Sequence, residues 1–137
     1  IRLGTSTPGA DPSGDYTWEV FRRIGAQRMG AFAVLDAKAV KLTGAAIEPR
    51  QHESPYARLL LVDRRVDVFV TYCANAQAAI ARHPMLRYRR FADDVNVAAE
   101  FGIGVARDAV AAAPAFLQFA CDRDGRRILA SFGFDVD

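Results

Sequence analysis

Long apolar runs are missing from this chain. None approaches the roughly 18 residues of a membrane span, so insertion into a bilayer is not expected, and no secretory leader is read at its start. Net charge is also small: 18 Lys and Arg against 16 Asp and Glu leave +2, too little to make nucleic acid or a membrane surface the main partner. Cysteine and histidine are scarce, with 2 of each. Cys73 and Cys121 lie far apart without metal-ligand spacing, which argues against zinc or any other metal, and they are expected as two buried free thiols. A nucleophilic Cys73 needs a base, yet His52 sits in a polar loop and His83 before a proline, neither placed beside it by sequence. Asp93 and Asp94 read as solvated loop acids. With no phosphate-loop lysine motif and no spaced-glycine dinucleotide fingerprint, no cofactor is expected.

What the chain does have is core material. At 137 residues with 51% hydrophobic and 25% charged content, it has the profile of a soluble globular protein with a real core. It opens on Ile1 already inside a strand pattern, the mark of a processed chain or of a piece of something longer. Arg2 to Thr5 reads as a short strand and Gly14 to Ile24 as an amphipathic helix stopped by Gly25. Ala31 to Leu42 is Ala-rich with weak helical periodicity, and Thr43 to Glu53 is a polar loop. Ser54-Pro55 is a strong helix start, a hydroxyl cap followed by proline at the first helical position. Val66 to Tyr72, apolar on both faces, predicts a central strand of a parallel sheet. Ala74 to His83 predicts a helix ended by Pro84, and Leu86 to Phe91 an edge strand guarded by Arg87, Arg89 and Arg90. The order is that of an α/β fold, a mostly parallel sheet with helices on both faces. Asn96 to Val105 predicts a longer, separate strand. Two helices close the chain, Pro114 to Cys121 and one capped by Asp124, with apolar surface and no sequential strand left to cover.

The segment Thr5-Ser6-Thr7-Pro8-Gly9-Ala10-Asp11-Pro12-Ser13-Gly14-Asp15-Tyr16 joins the first strand to the first helix through small, hydroxyl and turn-forming residues. The first backbone N–H groups of that helix lack intrahelical partners and favour an anion; an ordinary capped helix fits the same residues. In a parallel sheet, ligands lie beyond the carboxyl ends of the strands. Ser13 with Gly14, Ser54 at the second helix start, and Tyr72 at a strand end all fall on that edge. Together they form a neutral, donor-rich candidate pocket for a small anion, although Ser54 as a simple cap and Tyr72 with its hydroxyl in water are the competing readings.

Arg2-Leu3-Gly4-Thr5 through Asp15-Tyr16, the strand ending in Tyr72, the segment Phe101 to Val105, and the closing Pro114-Ala115-Phe116-Leu117 with Gly125 to Phe134 resemble the C-terminal part of the periplasmic molybdate-binding proteins. These are the solute-binding components of ATP-driven (ABC) molybdate and tungstate importers, with a two-lobed type II binding fold. The resemblance implies transport rather than catalysis, a periplasmic or extracytoplasmic location, a small oxyanion ligand and a membrane permease as partner. It implies that residues 1–94 form the second ligand-binding lobe, and that residues 95–137 supply the crossover (hinge) strand and the helices that pack on a first lobe absent here. Carried over, the oxyanion donors fall on Ser13, Gly14, Ser54 and Tyr72. Two departures stand out: Pro55 has no N–H where the family offers one, and Asp15 puts a carboxylate in the first turn of the anion-facing helix. An effector-sensing domain of a transcription regulator with the same fold is the alternative, and a small cysteine-dependent enzyme using Cys73 a more distant one. The apolar face of Phe116, Leu117, Phe119, Ile128 and Phe132 is expected to be covered by that first lobe or another chain.

Overall fold

A computed structural model describes residues 1–44 and 55–136. Ser54 and His52 lie outside the described residues. Two compact units are present, Ile1–Ala98 and Ala99–Asp137.

The first unit is built on a parallel sheet of three described strands in the order β2-β1-β3, with β1 at Leu3–Ser6, β2 at Ala39–Thr43 and β3 at Val68–Phe69. The fold is therefore α/β with an all-parallel sheet. Leu3 lies opposite Ala39 on one side and Val68 on the other. The β1–β2 register slips between Thr5 and Ser6. Beyond the slip, hydroxyls extend the pairing: Ser6 Oγ and Thr43 Oγ1 are 2.7 Å apart, and Thr7 donates to the Thr43 carbonyl from both N and Oγ1 at 2.9 Å.

Helix α1, Pro12–Gln27, buries Val20 and Phe21, the latter 1% exposed. It runs past Gly25 instead of stopping there. A Cβ on Gly25 would lie 2.8 Å from the Phe32 Cβ, so the glycine admits the neighbouring helix α2, Ala31–Lys38, and the chain turns only at Gly30, whose φ is +79°. Leu42, Leu59 and Val66 form a buried cluster with Leu60 and Phe69 packed against it. Helix α3, Pro55–Ala57, begins at the expected proline and continues as a π-helical turn over Arg58–Val62. Helix α4, Cys73–Arg82, ends before Pro84 as expected.

Several expectations are corrected. Ala31 to Leu42 is not all helix: its last residues form β2, because pairing with β1 overrides an Ala-rich helical tendency. The ladder in Val66 to Tyr72 covers only Val68–Phe69, and among the described strands it lies at an edge, with β1 central. Leu86 to Phe91 forms no strand. There the Arg87 guanidinium donates to the Pro84 and Leu86 carbonyls at 2.7 and 3.1 Å, tying the chain locally in place of a ladder. Asn96 to Val105 is also without regular structure, having no ladder partner among the described residues. Cys73 and Cys121 are free thiols, but neither is buried: Cys73 is half-buried at the start of α4 and Cys121 exposed.

In the second unit, α5 spans Ala113–Cys121 and α6 spans Arg123–Ser131. The cap of α6 is Asp122 rather than Asp124, its Oδ1 accepting the N–H groups of Asp124 and Gly125 at 2.9 Å each. A Cβ on Gly125 would sit 2.1 Å from the Phe119 carbonyl oxygen, so only glycine allows the two helices to turn so tightly. Phe101 and Phe134 meet edge to face at 5.8 Å. Phe116, Phe119, Ile128, Leu129 and Phe132 are exposed, Phe116 and Phe132 by more than 60%.

At the start of the chain, Arg2 donates to Asp67 from its backbone N and from Nη2, both at 2.7 Å. The guanidinium hydrogen bond is the main cause that holds the Asp67 carboxyl down at about 2. Because the folded value lies below the ordinary carboxylate value of about 3.9, the stability contributed is present above about pH 4 and is lost as pH falls toward 2. Asp67→Asn is expected to melt below the parent at pH 5 and to converge with it by pH 2, read by thermal denaturation followed by circular dichroism. Curves separated equally at both pH values would refute the linkage.

Candidate functional site

The loop between β1 and α1 closes on itself before it reaches any ligand. Ala10 and Asp11 donate to the Thr7 carbonyl at 3.3 and 3.0 Å. Asp11 then caps α1: its Oδ1 accepts the Ser13 N–H at 2.9 Å, and its carbonyl accepts from Gly14 at 2.8 Å and from Asp15 at 3.4 Å. Asp15 reaches back across the loop, its Oδ1 accepting the Gly9 N–H at 2.9 Å. The N–H groups of Ser13 and Gly14, expected from sequence to be unpartnered, are thus engaged by Asp11. Aspartate at the cap two residues before Ser13 is a common helix-start signal, and it competes for the same donors an external anion would use.

Ser13 and Gly14 are both buried, and Thr17 Oγ1 donates to the Ser13 carbonyl at 2.7 Å. Gly14 is held by a close approach: a Cβ there would lie 2.5 Å from the Pro8 nitrogen and from the Thr7 carbonyl carbon. The loop and the first turn of α1 therefore pack backbone to backbone.

Tyr72 stands immediately before α4 in extended conformation. Its ring meets Tyr16 edge to face, with centroids 6.3 Å apart. Tyr16 belongs to the first turns of α1, so Tyr72 and the Ser13–Gly14 turn lie at the same, carboxyl edge of the sheet. Burial raises the Tyr72 phenol above its ordinary value, and the negative charge of Asp11 adds to the shift, with smaller effects from Tyr16, Tyr56 and Asp15. At neutral pH the phenol is accordingly a protonated donor. Tyr56, on α3, packs on Phe69 at 5.0 Å and accepts a hydrogen bond from Asn75 Nδ2 at 3.1 Å; the same amide reaches Thr71 Oγ1 at 3.4 Å. Tyr16, Tyr56, Asn75 and Asp11 are additional polar groups at this edge, beyond those singled out from sequence. Tyr56 was signalled only by its place in the first turn of a helix that starts at the same edge. Among the described residues, no group of three or more His, Cys, Asp or Glu side chains is placed to hold a metal ion, and no helix is long and apolar enough to cross a membrane.

The parallel α/β sheet thus places two phenols and the first turn of α1 at its carboxyl edge, the edge where ligands bind in such folds. Residues 1–135 match the family model of the bacterial extracellular solute-binding proteins, and the chain belongs to that family. An uncharacterized protein of Pasteurella multocida (strain Pm70) is 30% identical over 139 residues, covering 98% of this chain and 55% of its own length. The chain thus spans about half the length of that relative. No solved structure matches it.

Proposed function

We propose that the chain is the second ligand-binding lobe of a periplasmic solute-binding protein that captures a small tetrahedral oxyanion, of the molybdate or tungstate kind, and hands it to the membrane permease of an ATP-driven importer. The observation that carries this reading is the meeting of Tyr72 with the first turns of α1 at the carboxyl edge of the sheet, within a chain of the solute-binding family. Ser13, Gly14 and Tyr72 are the donors proposed from this lobe, with Ser54 as a fourth; for Ser13 and Gly14 this requires the anion to displace Asp11, which accepts from both N–H groups in this structure. Residues 95–137 are proposed to cross to the other lobe, which would cover the exposed Phe116, Phe119, Ile128 and Phe132. No catalytic step is assigned. Such a site works by surrounding a dianion with neutral donors in a space closed to water, where each hydrogen bond to the charge counts for more than in solvent.

Tyr72→Phe tests this directly. It removes one donor and keeps the ring that packs on Tyr16, so the full-length gene product should fold as before and lose about tenfold or more in oxyanion affinity, the value of a hydrogen bond to a charged group. Calorimetric titration with molybdate, tungstate and sulfate is the measurement. Equal affinity of parent and variant for whichever anion binds would remove Tyr72 from the site.

A further inference from the structure

The opposite, amino edge of the sheet carries a shallow depression of about 310 Å³, largely open to solvent. Its apolar lining comes from Leu60 and Leu61 of the π-helical turn, Val66 before β3, and Leu86. Arg2, Asp67 and Arg64 supply the polar rim. Arg2 and Asp67 satisfy each other through both carboxylate oxygens, so as a pair they offer no net charge. Arg64 is different. It makes no hydrogen bond or ion pair among the described residues, and its φ is +45°, the left-handed backbone that favours glycine. The left-handed turn at Arg64 ends the π-helical turn, the Arg65 N–H donating to the Leu59 carbonyl at 2.9 Å, and it leaves the Arg64 charge at the mouth of an apolar depression.

We propose that this depression binds a small amphipathic carboxylate, a linear aliphatic acid, with its head group on Arg64 and its chain over Leu60, Leu61, Val66 and Leu86. The volume lies at the lower end of small-ligand pockets, about 300–1,000 Å³. The apolar lining disfavours a bare inorganic oxyanion, which would leave that surface unused, and the single unpaired positive charge selects a singly charged head group. The site is separate from the strand-end loop at Ser13 and Tyr72, and its ligand is independent of the oxyanion reading.

The probe is octanoate, titrated below its micelle-forming concentration into the 137-residue chain and followed by methyl chemical shifts in NMR. Saturable shifts are expected at Leu60, Leu61 and Leu86. Octan-1-ol and octylammonium should bind at least fivefold more weakly, and butanoate should bind more weakly through its shorter chain. Arg64→Gln should weaken octanoate about fivefold, the worth of one partly exposed charge contact, whereas Arg65→Gln should not. Arg64→Gly should weaken binding equally while raising Tm by about 4 °C, because it relieves the left-handed backbone. Absence of saturable shifts at those leucines, equal binding of octanol and octanoate, or an Arg64→Gly variant that keeps full affinity would each overturn the proposal.

Discussion

Gly14→Ala should cost about 3 kcal/mol of stability, at the upper end of overpacking effects, and lower Tm by roughly 10 °C or more. The alanine methyl would have to occupy a point 2.5 Å from the Pro8 nitrogen and the Thr7 carbonyl carbon and 2.7 Å from the Thr7 oxygen. Those atoms are backbone, so no side-chain rotation relieves the contact. Either the loop lifts away from α1, breaking the Asp11 cap, or the helix start shifts. Gly9→Ala is the control. Gly9 has φ +75° and nothing within 4 Å of its built Cβ, so that change carries only the left-handed backbone cost of about 1 kcal/mol. Urea denaturation of both variants decides the matter. If Gly9→Ala proved as costly as Gly14→Ala, the close approach of loop and helix would not be what holds this region.

The 137-residue chain by itself should bind molybdate, tungstate or sulfate at millimolar strength or weaker, about 1,000-fold below a micromolar site. One lobe leaves a dianion half solvated, and each donor then only replaces a water. This structure gives a second reason. The Ser13 and Gly9 N–H groups already donate to the Asp11 and Asp15 carboxylates at 2.9 Å, so an arriving dianion must displace charged acceptors before it gains a donor. Isothermal titration of the chain with each anion reads this out. Micromolar binding to a monomer would show a complete site in one lobe and would end the two-lobe reading of residues 95–137.

Features set within a few residues were legible in the sequence. Asp11, Pro12 and the apolar spacing of Val20 and Phe21 specify α1 after a short strand, because a cap and a helical period act over one or two turns. The proline start of α3, the end of α4 before Pro84, and the α5–α6 pair were equally local. From these, an α/β fold with parallel strands follows, since strand and helix alternate. The molybdate-family resemblance rests on the same local motifs, and the solute-binding family is what the chain's full length supports.

Only the tertiary structure decided the rest, because it depends on partners distant in sequence. Val40 and Leu42 became a strand once β1 lay beside them, 36 residues away in register with Leu3 and Ala39, while Leu86 to Phe91 found no such neighbour and stayed irregular. Among the described strands, the order made β1 central and moved β3 to the edge, which no reading of each strand's own residues contains. At the candidate site, sequence could place Ser13 and Tyr72 at one edge, but not that Asp11 and Asp15 fold back onto the loop's donors, nor that Tyr16 and Tyr72 meet. A side chain's choice among competing partners is settled by geometry, because hydrogen bonds and ring contacts are short-ranged and the chain must first be folded to offer them.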